Sequence, residues 1–242
     1  MKYLFYRRFI KITLRIFLLA AINTGHAQNI QDTIPRQLTL HYALHWKGLT
    51  GKANYILNQN GTHYTIISDA RGTGIASMLG KAVMTSEGSI EQGGILRPNF
   101  FKLDKPFGED EQTIFDWKKN SVTLKTGEIF PLGKTAIHDP LSLLFQFYWT
   151  PPDSSAKSSL QNIKIATTKK LAAYTFKLTG TEQLKFNKQS IETQVWKRYD
   201  AEGKLHMTLW LAPSQHFIPI KMHDYDGANE IKELVLTGIE TK

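Results

Sequence analysis

From Gln37 onward, apolar and polar residues alternate. In QLTLHYALHW (37–46), Leu38, Leu40, Tyr42, Leu44 and Trp46 share one face of an extended chain, and Gln37, Thr39, His41, Ala43 and His45 share the other. This period of two is the signature of a half-buried strand. KGLTG makes a turn. KANYILNQ (52–59) alternates again, with Ala53, Tyr55 and Leu57 on one side. Asn60-Gly61 is a hairpin signal, because both central positions of a tight hairpin turn need positive φ, and THYTIISDA returns. The same period recurs over 81–90, 95–104, 111–117, 121–126, 161–168, 172–179, 190–200, 204–212, 216–225 and 230–239. Lys119-Asn120, Thr126-Gly127, Glu202-Gly203 and Asp226-Gly227 supply turns between them. About thirteen close-set strands predict a mainly β fold, a large antiparallel β-barrel or a strongly curved sheet, over one domain at 37–242.

One stretch breaks the period. HDPLSLLFQFYW (138–149) carries a helix-start signal, with Asp139 placed to accept backbone N–H bonds and Pro140 at the first helical position. Leu141, Leu144, Phe145 and Tyr148 follow at i, i+3, i+4 and i+7, and Leu143, Phe147 and Trp149 add a second apolar face. A helix apolar on two faces is buried broadly. The spacing predicts a helix over about 139–149 that plugs or covers one end of the barrel, stopped by Thr150-Pro151-Pro152. The Pro- and Ser-rich stretch 150–160 is expected to be a surface loop or a weak boundary between two halves.

The N-terminus changes how the charge is read. MKYLFYRRFIKITLR has five basic residues and no acid, IFLLAAI is a short apolar core, and Gly25 and Ala27 are small residues at signal-peptidase spacing. Residues 1–27 thus predict a secretory signal peptide cleaved after Ala27, with 28–36 a loose polar leader. The apolar core is too short for a membrane span, which needs about 20 residues. The chain has 30 basic and 21 acidic residues, net +9; removing the five basic residues of the leader leaves 25 against 21, net +4. That balance gives no footprint for nucleic acid. The chain has no cysteine, so it has neither disulfides nor thiolate chemistry. The expected location is the periplasm. An outer-membrane barrel is disfavoured because Glu192 and Arg198 on one strand, and Lys232 on another, are assigned to outward faces that would meet lipid.

Candidate chemistry is sparse. His41 and His45 lie four apart, but on a strand that spacing spans about 13 Å, too far for two ligands of one metal ion. His138-Asp139 could be half of an acid–base site or simply a helix start. His223-Asp224-Tyr225-Asp226-Gly227 places a histidine and two carboxylates around a turn, where Asp and Gly are also ordinary turn residues. In Phe115-Asp116-Trp117, the two aromatics share a face, and Asp116 either closes a hairpin toward Lys118-Lys119-Asn120 or faces a cavity as an acid, the hairpin being the favoured reading. Gly72-Thr73-Gly74 lacks the strand–loop–helix context of a phosphate loop. No catalytic residue, metal ligand, cofactor or ligand-binding residue is assigned.

Several spaced phrases, taken together and in order, resemble an exported bacterial family, domain of unknown function 3108. They are Tyr42-x3-Trp46-x-Gly48 with Gly51-x-Ala53, Gly94-Ile95-Leu96-Arg97-Pro98, Phe115-Asp116-Trp117, Asp139-Pro140-Leu141-Ser142-Leu143, Tyr174-x-Phe176-x3-Gly180, Trp210-Leu211-Ala212-Pro213 and Ile218-Pro219-Ile220-Lys221. The resemblance implies a secreted proteobacterial protein with a mainly β, barrel-like fold, and it supplies no activity. The expected function is a periplasmic, non-enzymatic binding protein holding an apolar or amphipathic, lipid-like ligand. The alternatives are an envelope interaction or scaffold protein, and a His/Asp-based hydrolase whose His138, His223, Asp224 and Asp226 would have to converge.

Overall fold

The computed structural model describes residues 35–133, 135–153, 159–225 and 231–242. The predicted signal peptide, most of the leader, and Asp226-Gly227 lie outside them. The first eight strands are β1 (Gln37–Trp46), β2 (Leu49–Asn60), β3 (His63–Gly72), β4 (Lys81–Ile90), β5 (Leu96–Asp104), β6 (Glu111–Asp116), β7 (Ser121–Thr123) and β8 (Ile129–Pro131). The short β9 (Ile137–His138) leads into α1 (Pro140–Trp149). Six more follow: β10 (Ser159–Ala166), β11 (Leu171–Phe186), β12 (Gln189–Tyr199), β13 (Leu205–Ala212), β14 (Ile218–Tyr225) and β15 (Ile231–Thr241).

All fifteen strands form one sheet in the order β8-β7-β6-β5-β4-β3-β2-β1-β15-β14-β13-β12-β11-β10-β9. Neighbours pair antiparallel, except that β9 and β10 are parallel and are joined through α1. The sequence predicted the class correctly. The strands it missed, β8 and β9, are three and two residues long, too short to show a period.

The alternation in β1 predicted the inward face: Leu38, Leu40 and Tyr42 are buried, opposite Leu57, Tyr55 and Ala53 of β2. The sheet curls around α1, which packs on β3, β4 and β5 and also on β9, β10 and β14. Leu141, Leu143, Phe145, Phe147 and Trp149 are all buried, while Leu144 and Tyr148 of the first predicted face are half-buried against the same core. Phe147 meets Phe176 of β11 edge-on at 5.9 Å. Gln146 fixes the far end of the helix: its side chain accepts from the Leu96 N–H at 2.7 Å and donates to the Gly94 carbonyl at 3.0 Å.

The sheet does not close through strand pairing, and β8 and β9 are its ends. Its two margins are instead tied near one rim. Thr113 of β6 donates to the Thr167 carbonyl at 3.0 Å, the Lys125 N–H donates to the Thr168 carbonyl at 3.0 Å, and the Thr168 hydroxyl donates to Glu111 at 2.6 Å.

Candidate binding site

At the helix end, the predicted cap is present. Asp139 is fully buried, and its Oδ1 accepts from the Leu141 and Ser142 N–H groups at 2.8 and 3.0 Å. The Ser142 hydroxyl in turn accepts from the Asp139 N–H at 2.9 Å. The remaining oxygen, Oδ2, takes the Ser86 hydroxyl at 2.6 Å, and Ser86 lies 3.3 Å from the Tyr64 hydroxyl. Every strong acceptor of this carboxylate is engaged in structure. Burial pushes its pKa up, against these hydrogen bonds. His138 is buried next to it, and burial lowers its pKa to about 4, so the ring is neutral near pH 7. Its Nδ1 has no hydrogen-bond partner among the described residues. His138-Asp139 therefore makes the predicted helix start.

The other two candidate groups part company. Successive strand residues face opposite ways, so His223 and Asp224 lie on different faces of β14. His223 is on the outer face, bonded to Glu233 at 2.8 Å and stacked edge-on with Trp210 at 4.8 Å. Lys221 reaches the same Glu233 oxygen at 2.8 Å. Asp224 points inward toward Arg198, at 3.9 Å. Its charge also raises the pKa of Tyr55 on the inner face of β2, where burial is the larger cause. His41 bonds the Asn54 side chain at 2.7 Å, and Asp116 caps its own turn through the Lys119 N–H at 3.0 Å. Phe115 and Trp117 stack at 6.4 Å, as their shared face required. Among the described residues, no three His, Cys, Asp or Glu side chains are grouped to hold a metal ion.

The register corrects one expectation. Arg198 shares its face with buried Trp196, and Lys232 shares its face with Leu234 and Leu236 (core positions), so both cations point inward and not outward. The pairings align them in one row across five strands: Arg198, Met207, Asp224, Lys232 and Trp46. The next row toward the helix is Trp196, Leu209, Met222, Leu234 and Leu44, wholly apolar. The concave face thus divides in two. Near α1 its apolar side chains are buried. Toward the opposite mouth, Leu44, Leu234 and Ala70 are only half-buried, and so are Met207 and Trp46 within the charged row itself.

Arg198 stands 4.8 Å over the Tyr174 ring. Burial lowers its pKa, opposed by Asp224, and an arginine stays charged throughout the physiological range. Its Nε, and the Nε1 of Trp46, are buried donors without an acceptor among the described residues. Buried donors are ordinarily paired, and these two stand at the two ends of the charged row, four strands apart. The sequence carried a signal for both cations, a charge at a core-parity position on an alternating strand.

The architecture is that of a barrel-like β protein. The crystal structure of a β-barrel-like protein of domain of unknown function DUF1849 from Brucella abortus matches with a TM-score of 0.55 at 12% identity, covering 86% of this chain and 99% of that one. The chain itself belongs to the family described as protein of unknown function DUF3108, whose model matches residues 39–232. A putative outer membrane lipoprotein-sorting protein domain from Vibrio parahaemolyticus aligns more loosely, with a TM-score of 0.33, 10% identity and 85% of each chain covered. No functionally curated protein matches the sequence.

Proposed function

We propose that this is an exported, periplasmic, non-enzymatic binding protein, and that it holds an amphipathic ligand with an acidic head at the mouth of its concave face. The observation that carries this is the two-row arrangement there, an apolar row half-buried at Leu44 and Leu234 beside a row containing Arg198 and Lys232. A hydrocarbon chain would lie along Leu44 and Leu234. An acidic head would meet the unmet donor of Arg198, where a charge-assisted bond is stronger than a neutral one. The leader of residues 1–27 supports export. The fixed structural duties of Asp139, and the separation of His223 from Asp224, support a binding role over hydrolysis.

Trp46 is a built-in reporter. Titration of the purified mature protein with a long-chain fatty acid is expected to give a saturable change in tryptophan fluorescence that disappears in Trp46→Phe. Solvent extraction of protein purified from the periplasm, followed by mass spectrometry, is expected to recover an acidic amphiphile. Empty extracts together with a flat titration would sink this reading.

A further inference from the structure

We propose that the rim of the mouth is a membrane-docking element that seats the protein on an anionic lipid bilayer. Five of the nine exposed large hydrophobic residues among those described lie on this rim: Leu49, Ile75, Met78, Leu79 and Phe107. Ile75, Met78 and Phe107 are 87%, 82% and 71% exposed. Scattered apolar side chains on a surface need no explanation, but a contiguous group does.

These residues are contiguous because their loops are tied together. The Thr73 N–H donates to the Thr50 carbonyl at 2.9 Å, and the two threonine hydroxyls meet at 2.8 Å, so the β1–β2 turn carrying Leu49 abuts the 3-10 turn Gly74–Leu79. A methyl group on Gly80 would come within 2.5 Å of Pro106, so the Phe107 loop touches the same turn. The turn is not a loose excursion. Ala76 is buried against Gly72, where any side chain would collide with the Ala76 backbone at 2.1 Å. Ser77 holds the turn through the Gly74 carbonyl at 2.7 Å. With Ala76 anchored inward, Ile75, Met78 and Leu79 are held out in water.

Directly below stands a row of cations. Lys52 of β2 is paired with Arg71 of β3, and Arg71 with Lys81 of β4, all exposed on the outer face. Like charges directly opposite one another destabilise a sheet. Asp69, at 3.3 Å from Lys81, offsets one of the three. The acids of the Phe107 loop are engaged elsewhere, Asp110 with Lys102 at 3.0 Å and Glu109 with Lys125 at 3.6 Å. Protruding aliphatic side chains over a basic band are the arrangement that binds an anionic bilayer, the apolar part entering the acyl boundary and the cations meeting phosphate. The side chains stand on a projecting turn and do not line a groove, which favours a lipid surface over an acidic protein partner.

This inference stands apart from the proposed ligand, and the test keeps the two separate. Mature full-length protein is sedimented with vesicles of equimolar phosphatidylcholine and phosphatidylglycerol, and with vesicles of phosphatidylcholine alone. Wild type is expected to co-sediment with the mixed vesicles and to be released by high salt. The double variant Ile75→Asp/Met78→Asp is expected to partition at least about tenfold more weakly, and Arg71→Gln roughly fivefold more weakly, with unchanged thermal unfolding. Ala70→Trp, on the inner face below the mouth, is expected to bind vesicles as wild type does. Wild type left in the supernatant, equal binding to both vesicle types, or full binding by the folded double variant would each overturn the proposal.

Discussion

The Thr168 hydroxyl donates a 2.6 Å hydrogen bond to Glu111, 57 residues away and on the opposite margin of an open sheet. Lys105 bonds the same carboxylate, and Lys125 and Lys169 lie within 3.7 and 3.9 Å. Where the strands do not pair, one buried acid gathers both edges.

Glu111→Gln is therefore expected to cost about 2 kcal/mol at pH 7, because it leaves three lysines without their shared acid. The Lys105 ammonium and the Thr168 hydroxyl hold the Glu111 pKa at about 2, against 4.5 for a free glutamate. A carboxylate with a depressed native pKa stabilises the fold fully above its unfolded pKa and loses that contribution as pH falls. Urea unfolding should show the gap between variant and wild type narrowing between pH 4.5 and 2.

His138 works in a different window. Its native pKa of about 4, below the ordinary 6.5, means that the unfolded chain takes up a proton the native chain refuses. Its contribution is full above pH 6.5 and is lost progressively toward pH 4, on the order of 3 kcal/mol. His138→Leu should flatten the stability profile between those values and leave the Glu111 limb intact. A profile unchanged by the substitution would show that the ring titrates normally.

Asp139→Ala is expected to destabilise by about 2–4 kcal/mol, since it strips the helix cap and leaves the Ser86 hydroxyl and two N–H groups without their acceptor. Asp139→Asn keeps one oxygen for those N–H groups and should lose about half as much. Chemical denaturation of the pair separates capping from charge.

Arg198→Met should leave the fold as stable as before or more so, because a long apolar side chain removes the cost of burying a cation. The same change should weaken binding of a fatty acid about tenfold, while leaving binding of the matching alcohol within about twofold. Trp46 fluorescence measures both.

The sequence showed what is local. The period of two in Leu38 to Trp46 follows from strand geometry, and the Asp139-Pro140 start follows from capping chemistry. Both survive intact in the structure. Register is not local. Whether Arg198 faces water or the interior depends on its pairing with Met207 and on the side of the sheet that α1 occupies. Arg198 was therefore assigned outward, although it shares parity with Trp196. The setting of Glu111 depends on Thr168 and Lys169, which no pattern around residue 111 announces.

The first and last strands meet at the centre of the sheet: Leu38 lies opposite Thr241, and the Thr237 hydroxyl donates to the His41 carbonyl across 196 residues. The centre of the sheet is consequently complete only once the C-terminal strand has paired. Until β15 arrives, β1 and β14 are two bare edges, each a template for pairing with another copy. Contacts between such distant residues form slowly. The interval before that final strand docks is when this chain is most exposed to aggregation and to proteases.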